Sequence, residues 1–373
     1  MNPSVSFVVP CYKLAHLLAQ CVNSILGQTY QDYEILIMDN CSPDNTPEVA
    51  ASFKDPRVKH IRNETNLGHV RNFNKGITTA RGKYVWLLSA DDWLRSRDVL
   101  QRYVDLMERN PKVGYVFCRA VEVRGSTEIG AASWTDCGKE VHIWKGREFL
   151  LRLIRQNCVV MSSAMVRRDC FDKVGLLTPE MPHANDWYLF CLLTIYYQVA
   201  YMPEPMIFVR IHENSLTSTF NQGASPVCIT DELNVLWRVA REAELAGVIS
   251  NRRAFNESIA TRAARSLTYG QRGCFTPGLN PGEFEALLRQ HVVDVRDEAD
   301  LRARVHMVVG DEEFWYGQYK RAAQAYWEAL QLRPWWIRTW SKYLLLRTGA
   351  LGLYLRRLIL NVREFHARNE VTK

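Results

Sequence analysis

The chain opens with a repeating alternation of apolar runs and amphipathic stretches. Ser6 to Pro10 (SFVVP) is a short apolar run closed by proline, and after it Leu14, Leu17, Leu18, Cys21, Ile25 and Leu26 recur at helical spacing. YEILIMDN predicts a second strand, SPDNTPEVAASF supplies cap residues and a proline ahead of a helix, and VKHIRN predicts a third strand. A helix over 69–80, an Arg-Gly turn and the apolar run YVWLLSA follow. Strand, helix, strand, helix in this order predicts a parallel sheet covered on both faces, with ligands gathering at the carboxyl ends of the strands. Further on, GYVFCRAVEV, SSAMVRR and AYMPEPMIFVR predict strands, and HANDWYLFCLLTIYY predicts an apolar helix entered through polar residues. From about Thr230 the pattern is helical alone. Within it, WYGQYKRAAQAYWEALQLRPWW (315–336) carries Gly, Tyr, Ala, Leu and Pro at the spacing of one tetratricopeptide-like helix pair.

At 373 residues the chain exceeds most single cores. Two domains are expected, an α/β domain over 1–225 and a helical region over 226–373. A hydrophobic fraction of 47% with 23% charged residues excludes global disorder. The formal charge of +7 matters once it is located: residues 331–373 hold nine Lys or Arg against Glu364 and Glu370, so the remainder is near neutral. That argues against a nucleic-acid partner for the main body. In the tail, Leu, Ile and Tyr are mixed with Arg356, Arg357 and Arg363, which fits either a peripheral membrane contact or a stripe packed on the preceding helices. Ten cysteines show no CxxC pair or metal-finger spacing, so a reduced, cytoplasmic compartment is expected. The N-terminus lacks the pattern of a signal peptide, and no run of about 18 apolar residues predicts a spanning helix.

Polar residues close the predicted strands. Asp39 and Asn40 end one, and Asp91 and Asp92 end another. Two adjacent carboxylates repel and are costly to desolvate, so they persist in water, in a partner's field or on a cation. Plainer roles fit the same residues: a solvated turn at MDNCSPDN, a cap at Asp91 and Asp92 for a helix starting near Arg97, and an N-cap at Asp186. A dinucleotide-dependent oxidoreductase is disfavoured, because PCYKLAHL stands where a G-x-G-x-x-G would follow the first strand.

The pieces VSFVVPCYKLAHLLAQCVNSILGQTYQDYEILIMDNCSPDNT, NLGHVRNFNKGITTARGKYVWLLSADDWL, NDWYLF and VRIHENS, in this order, resemble family 2 glycosyltransferases of the GT-A fold over residues 4–220. The resemblance implies a Rossmann-like nucleotide-binding α/β sandwich with an all-helical C-terminal extension. It further implies inverting transfer of a hexosyl or deoxyhexosyl group from a nucleotide-diphosphate sugar to a hydroxyl of a glycan or lipid-linked acceptor. The setting would be bacterial cell-surface polysaccharide synthesis, such as O-antigen, at the inner face of the plasma membrane.

By position, Asp39 and Asn40 match the residues the family uses against base and ribose, with Asn40 where many members have Asp. Ser89, Asp91 and Asp92 match the DxD region, in which Asp91 would hold Mg²⁺ or Mn²⁺, with Asp92 as the alternative ligand, and Ser89 replaces the first carboxylate. Asp186 matches the general base, preceded by Asn185 rather than the more usual Glu. Arg210, His212 and Ser215 match an Arg-x-His-x-x-Ser element, with His212 a second metal ligand and Arg210 and Ser215 on the diphosphate. Pro10, Tyr12, Asn66, Arg71 and Ala90 are carried over as further substrate contacts. The Ser89 and Asn185 departures also suit a different class, a non-catalytic sugar-nucleotide-binding or scaffold protein whose helical C-terminus recruits partners.

Overall fold

The computed structural model describes residues 2–213, 215, 227–270, 279–292, 294–348 and 352. The chain forms two compact units, Met1–Gln222 with Arg238–Asn251, and Gly223–Trp237 with Arg252–Lys373. The expected boundary at 225/226 and the basic tail with Arg356, Arg357 and Arg363 lie outside the described residues.

In the first unit, β1 (Val5–Cys11), α1 (Ala15–Leu26), β2 (Tyr33–Asp39), α2 (Thr46–Ser52), β3 (Val58–Arg62), α3 (His69–Thr79) and β4 (Tyr84–Leu87) follow the alternation of the sequence. β1 pairs in parallel with β2 on one side and β4 on the other, and β2 pairs in parallel with β3. Every residue of β1 and β2 is buried, which is why both read as unbroken apolar runs. The helices take opposite faces. Leu18, Cys21, Val22 and Ile25 of α1 share a core with Phe7 and Val9, while α3 lies on the Val8 side. A Cβ on Gly76 would sit 2.2 Å from Val8 Cγ1, so glycine is what lets α3 reach the sheet.

Beyond β4 the sheet is mixed, where the alternation alone predicted a parallel one. The next elements are β5 (Trp93–Leu94), α4 (Val99–Arg109), β6 (Val113–Arg124), β7 (Thr127–Ala131), β8 (His142–Trp144), α5 (Gly146–Leu153), β9 (Met165–Arg167), α6 (Cys170–Val174), α7 (Asn185–Tyr196) and β10 (Gln198–Arg210). The strand order is β3-β2-β1-β4-β9-β6-β10-β5. β9 runs antiparallel between β4 and β6, and β10 lies parallel to β6. The register of β10 on β6 shifts between Met202 and Ile207, where Pro203 and Pro205 interrupt the ladder. Phe7, Trp86 and Tyr103 stack in series at 5.3 and 4.4 Å between centroids, tying α4 to the sheet.

The remaining helices are α8 (Val227–Leu245), α9 (Arg253–Gly270), α10 (Pro281–His291), α11 (Val295–Trp315), α12 (Tyr319–Leu332) and α13 (Ile337–Arg347). The tetratricopeptide-like stretch is a correction in detail. Residues 315–336 form one helix, α12, with a turn at each end, and its hairpin partner is the preceding α11. Gly310 of α11 makes that pairing close, since a Cβ there would meet the Tyr326 ring at 2.5 Å. No helix among the described residues is long and apolar enough to cross a membrane.

Candidate active site

β1 sends its connection to β2 on one side while β4 lies on its other side, so the topological switch point falls between β1 and β4. At their carboxyl ends the Ala90 N–H donates to the Pro10 carbonyl at 3.3 Å, and the Asn40 N–H donates to the Cys11 carbonyl at 2.9 Å. The end of β1 therefore joins two polar clusters. Lys13 (φ 58°) and Cys41 (φ 61°), both in the loops leaving this edge, hold left-handed backbone without being glycine. Such strain concentrates at ligand sites.

The first cluster surrounds Asp39 and Asn40. Asp39 is fully buried, with Oδ1 accepting from the Ser42 N–H at 2.8 Å. Its Oδ2 meets Arg62 Nη1 at 2.8 Å and His60 Nε2 at 3.2 Å. The parallel register that sets Asp39 beside Arg62 puts the guanidinium there. Asn40 is buried as well. Its Oδ1 accepts from the Leu67 N–H and from Asn63, and its Nδ2 donates to Asn66 Oδ1 at 2.8 Å. Because Asn66 Oδ1 also accepts from the Gly68 N–H, both amides are fixed in orientation by backbone donors. A carboxylate at position 40 would face Asn66 Oδ1 with no proton to give. Tyr12 is exposed beside this edge with Lys13 Nζ 5.2 Å from its ring centre, and Arg71 is exposed on the first turn of α3.

The second cluster answers why two carboxylates stand side by side. They point to different partners. Asp92 is buried, accepts the Arg210 N–H at 3.0 Å and a hydrogen bond from Ser162, and is pushed well above the usual carboxylate range by burial and by the charge of Asp91. Asp91 is partly exposed, with Oδ2 2.9 Å from His212 Nε2. Neither caps a helix: β5 intervenes, and α4 begins only after Asp98. Arg210 donates to the Asp91, Gly125 and Gln20 oxygens and lies 4.7 Å over the Trp93 ring. No carboxylate pairs with it among the described residues, so its charge is available to an anion. Ser89 donates its N–H to Ser162 Oγ at 3.2 Å, and the Ser215 N–H donates to the His212 carbonyl at 3.1 Å.

Asp91 and His212 suit a small divalent cation. One carboxylate oxygen and one imidazole nitrogen converge, and Mg²⁺ or Mn²⁺ ordinarily completes such a set with phosphate oxygens and water. Asp92 does not suit it, since its acceptors already serve Arg210 and Ser162. Among the described residues no group of three or more metal-binding side chains occurs.

Asp186 sits in the first turn of α7, whose N-cap is Ala184, and its Oδ1 accepts from the Trp187 N–H at 2.6 Å. Burial pushes its carboxyl up to about 6, against the lowering effect of that hydrogen bond. The Pro182 carbonyl accepts from Asn185 Nδ2 at 2.7 Å and lies 3.0 Å from His69 Nε2. Burial lowers the His69 pKa, so the ring is neutral and holds its proton toward this carbonyl. Through Asn66, Gly68 and His69, the loop bearing Asp186 is thus joined to the Asn40 cluster. Sequence reasoning missed His60, Arg62, Asn63, Ser162 and the structural part of His69. Only the strand register and loop packing bring them to the site.

The sequence profile of Glycosyl transferase family 2 matches residues 6–175, a span that holds the Asp39–Asn40 cluster and Asp91 and Asp92 but ends before Asp186, Arg210 and His212. Residues 6–175 are a Glycosyl transferase family 2 domain. The chain is 34% identical over 115 residues to the glycosyltransferase GlyG of Streptococcus pneumoniae, a match covering 30% of this chain and 38% of GlyG. An uncharacterized glycosyltransferase of Haemophilus influenzae is 27% identical over 223 residues, 58% of this chain and 82% of that one. The S. aureus TarS 1–349 structure with UDP-GlcNAc superposes with a TM-score of 0.61 at 15% identity, covering 87% of this chain and 89% of that one. At that identity the likeness establishes the GT-A fold.

Proposed function

We propose that this family 2 glycosyltransferase chain is an inverting enzyme, moving a sugar from a nucleotide-diphosphate donor to a hydroxyl of a glycan or lipid-linked acceptor in bacterial surface-polysaccharide synthesis. The observation that carries the reading is Asp186, a carboxylate lifted to about 6 and anchored through Asn185 and His69 to the Pro182 carbonyl. A base with its pKa just below neutrality is ionised at working pH and still takes a proton readily. Asp186 removes the acceptor hydroxyl proton as the oxygen attacks the anomeric carbon. The bond from that carbon to the diphosphate breaks on the opposite side, and a single displacement inverts the configuration.

The leaving diphosphate meets Arg210, whose guanidinium has carbonyls and an aromatic face for neighbours. Asp91 and His212 would hold a divalent cation, which when bound offsets charge on the diphosphate. Arg62, held by Asp39, and the amides of Asn40 and Asn66 face the nucleoside part of the donor. Tyr12 and Arg71 stand at the same edge, and Pro10 and Ala90 join the two ends of the crevice.

The test is Asp186→Asn. Donor binding is retained and transfer is abolished; a variant with full turnover would overturn the assignment. A thermal-shift panel of UDP, dTDP, GDP and CDP with and without Mn²⁺ reads base and metal together, because a ligand that binds only the native state raises the melting temperature by mass action. A protein stabilised by none of them would remove the donor reading.

A further inference from the structure

The second unit exposes an apolar surface that the transfer chemistry does not use. On α13, Ile337, Trp340, Leu344 and Arg347 fall at i, i+3, i+7 and i+10, one stripe along the helix. Tyr343, beside the stripe, and Leu346, on the inner side, pack against the cluster of Phe314 and Tyr326. Ile337 is 80% exposed and Leu344 53%. Trp327 of α12 extends the patch sideways, 6.2 Å from the Trp340 ring and 5.7 Å from Tyr343. The turn between the helices adds Trp335, 67% exposed, and is clamped to the stripe by Trp340 Nε1, which donates to the Pro334 carbonyl at 2.7 Å. Arg333 lies 5.5 Å over the Trp335 ring. These contacts make the patch part of a folded surface.

Its exposed charge is basic. Arg338 and Arg347 are exposed on α13 with no carboxylate paired to either among the described residues, whereas Lys342 is held by Asp311 and Arg333 lies beside Asp300. Indole and aliphatic side chains rimmed by arginines match the boundary between headgroups and acyl chains, where Trp settles and anionic lipid attracts Arg. A second copy is disfavoured as the occupant, because a symmetric contact would set these cations against themselves. A carbohydrate would use the indole faces but gains nothing from Ile337, Leu344 and the arginines.

We propose that the Trp335–Ile337 turn and the outer stripe of α13 form a membrane-surface contact selective for anionic lipid. The proposal does not rest on the transfer reaction, since binding is read without donor or acceptor. Full-length protein is sedimented with vesicles of phosphatidylcholine alone and of phosphatidylcholine with about one-quarter phosphatidylglycerol, at low and high salt. The protein pellets with the anionic vesicles at low salt and is released at high salt. Trp335→Ala with Ile337→Asp lowers the partition coefficient about tenfold or more at an unchanged melting temperature, and Arg338→Glu with Arg347→Glu does the same while leaving the apolar residues in place. Wild-type protein that stays in the supernatant with anionic vesicles overturns the proposal. So does either double variant pelleting like wild type, or a dimer in free solution that the Trp335 and Ile337 substitutions disperse.

Discussion

Asp186→Asn should make the protein more stable as well as inactive, and the gain should depend on pH in a defined way. A carboxyl lifted by burial from its ordinary 3.8 to about 6 binds its proton more tightly in the folded chain than in the unfolded one. Its neutral form is accommodated at no penalty below about pH 4. As pH rises from about 4 to about 6 the unfolded chain ionises first, and stability falls. Above about 6 the loss levels off at ~3 kcal/mol, from 1.36 kcal/mol per pKa unit. Asn keeps the oxygen that accepts the Trp187 N–H and never carries the charge. Allowing for the partial exposure of Asp186, the variant gains roughly 1–3 kcal/mol at pH 7.5, a melting-temperature rise of roughly 3–9 °C. Melting curves of both proteins from pH 4.5 to 8 provide the assay, and no substrate is needed. The two curves should separate as pH rises from 4.5 to about 6 and run parallel above it. A variant that melts below wild type at pH 7.5, or a difference that does not shrink in acid, would refute the reasoning that burial sets this carboxyl.

Other consequences are smaller in scope. Transfer by the wild-type enzyme should rise with pH through an apparent pKa near 6 and then flatten; a profile centred at the ordinary carboxyl value would remove Asp186 as base. Asn40→Asp replaces a donor to Asn66 by a buried charge and should cost roughly 1–3 kcal/mol in chemical denaturation, whereas a neutral result would show that the amide network is dispensable. Gly76→Ala drives a methyl toward Val8 and should cost roughly 1–3 kcal/mol while weakening nucleotide binding, because α3 and the Asn66–His69 turn shift together. Glu34 is brought to about 2 against the upward push of burial, by hydrogen bonds from Arg81, Lys59 and Ser6. Its stabilising contribution is present above about pH 4.5 and fades as pH falls toward 2, so Glu34→Gln should lower the melting temperature at pH 7 and match wild type in strong acid.

The parts of the fold that were legible are those in which burial is periodic. β1, β2 and β4 are covered on both faces, so they read as apolar runs, and α1 and α3 show their inner residues at helical spacing. The antiparallel insertion of β9 was not legible, because three residues carry no period and pairing is decided by partners far along the chain. The tetratricopeptide spacing located α12 but shifted its partner, since that spacing records contacts made with the helix before it. The candidate site divides in the same way. Its motif residues were visible as residue types that chemistry requires at strand ends. The residues holding them, His60, Arg62, Asn63 and Ser162, look like ordinary polar positions until register and packing aim them. Asn40 and Asn185 looked like erosion of the family pattern, yet each donates a hydrogen bond that a carboxylate could not supply.

The Ser89 departure can be judged on the same footing. Asp91 and Asp92 already place two carboxyls at one strand end, and Asp92 can be buried there because Arg210 and Ser162 donate to it. That burial has a geometric effect. By accepting the Arg210 N–H at the last residue of β10, Asp92 fixes the chain two residues before His212, and His212 then meets Asp91 at 2.9 Å. One carboxyl positions and the other is offered. A third carboxylate at position 89, two residues from Asp91, would add like charge beside this pair and raise its desolvation cost further. Ser89 avoids that cost and leaves a cation to rely on Asp91, His212 and the donor phosphates, so a cation should bind weakly to the empty protein and much more tightly with a nucleoside diphosphate present. Titrating Mn²⁺ with and without the stabilising nucleotide measures the difference: His212→Ala should abolish the coupling, and tight Mn²⁺ binding to the nucleotide-free protein would show that the missing carboxylate has been replaced from elsewhere in the chain.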